Sequence, residues 1–137
     1  VYGPKQNPNS PYSGFISILV DRLKNQKPLK IFGDGEQARD FVYIDDVLQA
    51  LLLIATSDQS LGQVYNVGTG TKTTLNDLIH LAQRNLNKEL DIEYVAPREG
   101  DIKLSISSIQ KLKKIGYSPK YNLESGMKEY LDYEFHK

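Results

Sequence analysis

Two arginines are the residues of this 137-residue chain whose type and setting most clearly promise chemistry. Arg39 follows a Gly33-Asp34-Gly35 turn and stands at the mouth of an apolar run, and Arg98 lies in a Pro97-Arg98-Glu99-Gly100-Asp101 loop after another. A guanidinium held in this way presents a planar fork of donors, and two such forks converging suit a diphosphate. The competing reading is a pair of surface ion pairs, Arg39 with Asp40 and Arg98 with Glu99, of small energetic weight. Residue chemistry alone leaves the two readings level.

Other groupings carry less. Gly68-Thr69-Gly70-Thr71-Lys72-Thr73 imitates a dinucleotide fingerprint, with Asp91 or Glu93 about 20 residues further on. Thr73 stands where the third glycine belongs, and the lysine does not directly follow the last glycine as a phosphate loop requires. An ordinary strand-to-helix turn is expected there. Tyr133 and Lys137 fit Tyr-x-x-x-Lys, in which a lysine one helical turn on lowers the phenol's pKa, but they sit at the frayed end of the chain. Asp45 and Asp46 are neighbours, so on a helix they point different ways, and starting a helix suits them better than sharing a metal. His80 lies among leucines without a second histidine or cysteine nearby. No catalytic, cofactor-binding or metal-ligating residue is expected within this chain.

Composition narrows the partners. Lysine plus arginine and aspartate plus glutamate each number 17, so no bulk field draws in nucleic acid or an acidic membrane. Cysteine is absent, which removes disulfides and thiolate metal sites, and the nine tyrosines are scattered rather than striped. The longest apolar run, residues 50–55, falls far short of the roughly 20 residues that span a bilayer, and no charged-then-apolar leader opens the chain. A cytoplasmic protein is expected. The only methionine is Met127 rather than the first residue, so a fragment is expected too.

The elements that must position the arginines alternate between helix and strand. Residues 1–14, with three prolines, read as a connecting loop. An amphipathic helix is predicted over 15–25, with Phe15, Ile18, Leu19 and Leu23 at helical spacing and Pro28 as its stop. Residues 29–32 and 40–44 read as strands on either side of the glycine turn, and Asp45 as the cap of a helix to about residue 56, so apolar that it should be buried on several sides. A buried strand at 63–67, a helix over 75–87 capped by Thr74, a half-exposed strand at 90–95, a short helix capped by Ser107 and a last helix over 123–133 complete the order. That rhythm places the chain in the α/β class.

At this point the ordered blocks matter together. Val1-Tyr2-Gly3-Pro4-Lys5-Gln6, the run from Phe32 through Arg39 to Asp46, Tyr65-Asn66-Val67-Gly68, Pro97-Arg98-Glu99-Gly100-Asp101 and Gly116-Tyr117-Ser118-Pro119 resemble the C-terminal portion of the extended short-chain dehydrogenase/reductases that act on nucleotide sugars. The resemblance is greatest to the UDP-glucose and UDP-N-acetylglucosamine 4-epimerases. It implies a two-part enzyme in which an N-terminal Rossmann domain, preceding Val1, holds NAD and the catalytic tyrosine. Residues 1–137 would then be the C-terminal, nucleotide-sugar-binding portion, with elements that complete the Rossmann sheet.

Carried over by position, the resemblance assigns Arg39 and Arg98 to the diphosphate, Asp101 to a ribose hydroxyl, the backbone of Lys30 and Phe32 to the uracil, and Ser13 and Gly14 to the loop beside the nucleotide. Ser105 would shape the sugar pocket, and its small size would leave room for a 2-acetamido group. The expected partners are a UDP-sugar, the chain's own N-terminal Rossmann domain and further copies of itself. The alternatives are a portion of a nucleotide-sugar 4,6-dehydratase or decarboxylase, and a binding module with no redox role. Without the other domain, segments such as 63–67 should expose strand edges and an apolar face.

Overall fold

The computed structural model describes residues 1–10 and 14–135, so Ser13 and Lys137 lie outside it. Helix α1 (Phe15–Asn25) forms because Ile16, Leu19, Val20 and Leu23 recur on one face, all buried. The remaining apolar residues of the segment, Phe15 and Ile18, lie on a second, partly buried face. Gln26 ends the helix in the left-handed conformation, its N–H donating to Arg22 O. Strand β1 (Leu29–Phe32) follows and pairs in parallel with β4 (Ile92–Val95), Leu29 opposite Ile92 and Phe32 opposite Val95.

A second, three-stranded sheet is made of very short pieces. Its centre is β2 (Ala38–Arg39), flanked by β3 (Thr73–Thr74) antiparallel and β5 (Leu104–Ser105) parallel. The strand predicted at 40–44 is therefore displaced: Arg39 is inside a strand, and residues 40–43 form only a single bridge, Tyr43 with Tyr2. Strand propensity goes unused there because residues 41–44 meet only Tyr2 among the described residues, whose N–H donates to Val42 O and whose C=O accepts from Ile44 N–H, before the next helix begins at Ile44. The Gly33–Gly35 turn joins β1 to β2. Gly35 has φ 78°, and an added Cβ would run into the Asn76 side chain, whose amide donates to Asp34 O and Glu36 Oε1.

Helix α2 (Ile44–Thr56) departs from expectation in two ways. Neither aspartate caps it: Asp45 is exposed, and buried Asp46 accepts the N–H groups of Lys120 (2.7 Å) and Tyr121 (3.1 Å), tying the chain before the last helix to α2. Nor is it buried on several sides, since Asp46 and Ala50 are its only buried residues while Leu51 and Leu52 are 54% and 69% exposed. The predicted strand at 63–67 is irregular chain, with Leu61 and Val64 also exposed. An apolar face and a backbone segment outside any described sheet thus lie together in sequence.

Helix α3 (Leu75–Leu86) begins as predicted, with a reciprocal capping box between Thr74 and Asp77. The bond from Thr74 to its carboxylate holds Asp77 below the usual carboxylate pKa. Short α4 (Gln110–Lys113) has Ile109 rather than Ser107 at its cap, and α5 (Leu123–Phe135) closes the described chain. The main core gathers α1, α3, α5 and β1 through Leu19, Leu23, Leu78, Ile79, Met127, Leu131 and Ile31, each such burial contributing about 1.5–3 kcal/mol. A smaller core joins Ala50 to Ile109, Leu112 and Tyr117. Among the described residues no helix is long and apolar enough to cross a membrane, and no group of three or more His, Cys, Asp or Glu side chains could hold a metal.

Candidate functional site

A parallel ladder uses alternate residues of a strand. Leu29 N–H donates to Asp91 O and Gly33 N–H to Val95 O, so β1 spends one edge on β4. The N–H and C=O groups of Lys30 and Phe32 face the other edge. That edge borders a cavity of about 430 Å³, within the range of small-ligand sites. Phe32 O already accepts the Gln37 amide at 2.7 Å.

Arg39 enters the cavity from β2 and Arg98 from the loop after β4. Residues 98–101 form a turn, Asp101 N–H donating to Arg98 O, which returns Asp101 to the same space. Arg39 Nη2 lies 3.0 Å from Asp101 Oδ1, and its Nη1 donates to Ala38 O. The Arg98 guanidinium sits 3.8 Å from the centre of the Phe32 ring. The two guanidinium groups are therefore held by different means around one cavity. The ion pairs weighed in the sequence do not carry these arginines: Arg39 is paired with Asp101 rather than Asp40, and Arg98 is stacked on Phe32.

Of the residues singled out, Gly14, Lys30, Phe32, Arg39, Arg98 and Asp101 line this one cavity. Ser105 does not. It is exposed on β5, directly opposite Arg39 in the parallel register, beside that arginine rather than within the lining. Ser13 lies outside the described residues. Residues not foreseen are Gln37, which lines this cavity and a larger open groove of about 990 Å³, and the apolar wall of Phe15, Ile18, Phe41 and Leu75. The i, i+3 spacing of Phe15 and Ile18, off the buried stripe of α1, was the available signal. Gly14 is the α1 N-cap, with no side-chain cap bond, so a helix N-terminus also faces the cavity.

The Gly68-Thr69-Gly70 turn does not offer its Thr69 and Gly70 N–H groups to a phosphate. Its backbone N–H groups are taken by the Asp40 carboxylate, from Thr69 at 2.9 Å and Gly70 at 2.9 Å. The residues present at this turn do not fit a dinucleotide, and the Lys137 of the tyrosine look-alike lies outside the described chain.

Residues 1–68 match the NAD dependent epimerase/dehydratase family. The chain belongs to that family. Among solved structures, this epimerase/dehydratase-family chain is similar to the UDP-glucose 4-epimerase of Thermotoga maritima with UDP-glucose, at 39% identity and a TM-score of 0.87, covering 96% of this chain and 42% of that one. It is similar also to the UDP-N-acetylglucosamine 4-epimerase of Methanobrevibacter ruminantium in complex with UDP-N-acetylmuramic acid, at 34% identity and TM-score 0.89, covering 98% and 43%. A third is the UDP-glucose 4-epimerase of Thermus thermophilus complexed with NAD, at 30% identity and TM-score 0.86, covering 97% and 43%. This epimerase/dehydratase-family chain therefore spans less than half the length of the proteins it matches.

Proposed function

We propose that this chain is the nucleotide-sugar-binding portion of an NAD-dependent UDP-sugar 4-epimerase, and that its cavity holds the UDP part of the substrate. The observation that carries this reading is the convergence of Arg39, Arg98 and Asp101 on one cavity edged by the outward backbone of β1. Arg39 and Arg98 donate to the diphosphate oxygens, and Asp101 accepts from a ribose hydroxyl. Uracil's edge alternates acceptor, donor and acceptor, which the N–H and C=O of Lys30 and the N–H of Phe32 can answer without any side chain. The α1 N-terminus at Gly14 adds partial positive charge, and Phe15, Ile18 and Phe41 exclude water from the base.

Epimerisation at C4 needs one end of the substrate fixed and the other free to turn. Contacts to the non-reacting nucleotide supply the grip, so the sugar can present either face. When bound to the rest of the enzyme, NAD supplies a reversible hydride acceptor for C4. That remainder is an N-terminal Rossmann domain seated against the exposed Leu48, Leu51 and Leu52 and the 61–67 segment, in a cytoplasmic enzyme. The small Ser105 beside Arg39 favours a sugar with a 2-acetamido group. Calorimetry tests the nucleotide site: UDP binds at least about tenfold more tightly than GDP, a difference of about 1.4 kcal/mol. Equal affinity for the two would sink the assignment.

A further inference from the structure

Asp40 follows Arg39 directly, lines none of the cavities described above, and is the most heavily hydrogen-bonded carboxylate in the vicinity. Its Oδ1 accepts from Thr69 N–H (2.9 Å) and from the Thr69 hydroxyl (2.6 Å), and its Oδ2 from Gly70 N–H (2.9 Å) and Ser107 N–H (3.3 Å). Its own N–H donates to Ser105 O at 3.0 Å. One residue thus fastens β2 to the exit of β5 and to the glycine turn before β3. The flanking strands are only two residues long, so ladder bonds alone hold Arg39 poorly in register.

The surroundings are shaped around this carboxylate. A Cβ on Gly68 would collide with Asp40 Oδ2 and come within 2.7 Å of Ser107 Cβ, so only glycine lets the turn approach. Buried Tyr117 donates its hydroxyl to Gly68 O at 2.9 Å, fixing the turn from behind. Every group facing Asp40 in these bonds is a donor. Only an acceptor-only side chain satisfies such a set, because an asparagine would turn an NH₂ toward N–H groups.

We infer that Asp40 is a positioning residue for the diphosphate clamp: by binding the Gly68–Gly70 turn and Ser107, it sets the backbone from which Arg39 reaches the phosphates, without touching the ligand itself. The inference rests on the nucleotide reading above. It assigns a purpose to the glycine-threonine turn that a dinucleotide site does not. It also predicts a selective defect, since a misplaced Arg39 weakens contacts to phosphate and leaves the base edge of β1 intact.

The test is calorimetry on the whole chain with two probes, UDP and uridine. Asp40→Asn should lower affinity for UDP roughly tenfold, while uridine affinity changes less than about twofold. In an Arg39→Ala background, Asp40→Asn should have no further effect on UDP, since both act through one guanidinium. Thr69→Val, which deletes the hydroxyl's bond to Asp40 and its acceptance of the Thr71 N–H while leaving the Thr69 and Gly70 N–H bonds to the carboxylate, should give a smaller loss of the same kind and serves where Asp40→Asn fails to fold. Parallel loss of UDP and uridine binding in either variant, or additive losses in the double variant, would overturn the inference. If the unaltered chain binds neither probe, the nucleotide reading falls first and carries this inference with it.

Discussion

Replacing Arg39 by alanine removes three things of different size. The ion pair to Asp101 is lost, but both side chains are about one-third exposed, 30% and 34%, so solvent screening limits its worth to below about 1 kcal/mol. The bond from Nη1 to Ala38 O at 3.0 Å is local and contributes on the order of 1 kcal/mol. The larger effect is on binding: a charge-assisted bond to phosphate contributes about 1.5–3 kcal/mol, so UDP affinity should fall by roughly 10-fold to 150-fold. Uridine, which has no phosphate, should be bound about as well as before. Arg39→Lys keeps the charge but loses the fork, and should fall between the two. Calorimetry at low and raised salt checks this, with the loss shrinking as salt screens the contact. An Arg39→Ala chain that melts normally and binds UDP as well as the original would refute the clamp.

Three further outcomes follow from the packing. Thr74→Ala breaks the capping box at α3 and should cost about 1 kcal/mol in denaturant unfolding; since the folded pKa of Asp77 is depressed, this contribution is present at neutral pH and is lost as pH falls through that lowered value. Burial pushes Tyr43, Tyr117 and Tyr130 up to about 12, so the stability they represent is complete below their ordinary pKa near 10 and is lost as pH rises toward about 12, a transition that ultraviolet titration should show as delayed ionisation. The exposed Leu51, Leu52 and Val64 should drive self-association, seen as a rise in mass with concentration by light scattering and reduced by Leu52→Glu; a chain that stays monomeric at high concentration would contradict this.

How much was legible in the sequence depends on what each feature needed. Helices α1 and α3 were readable because their signals are local: the apolar period, the Pro28 stop and the Thr74 cap. The chemistry of Arg39 and Arg98 was readable too, but not their partners. Asp101 lies 62 residues from Arg39 in the chain, and nothing in the sequence says that a turn at 98–101 brings it back. The strand expected at 40–44 failed because Phe-Val-Tyr-Ile has strand propensity, whereas the run finds only Tyr2 to pair with among the described residues before α2 begins at Ile44. Asp46 was misread for a similar reason: its partners, the amides of Lys120 and Tyr121, belong to a distant segment. The apolarity of α2 was plain, but a pattern reports which residues are apolar and not which surface covers them. At 63–67 the apolar Val64, Tyr65 and Val67 suggested a buried strand, but no described strand pairs with the segment.

The most direct test of the account is a proton–nitrogen NMR titration of the chain with UDP. Saturable shifts should be confined to the outer edge of β1 at Lys30 and Phe32, to Gly14 and Arg39, and to the turn carrying Arg98 and Asp101. Shifts centred on Gly68 and Gly70 with none at the arginines, or no shifts at millimolar UDP, would contradict it.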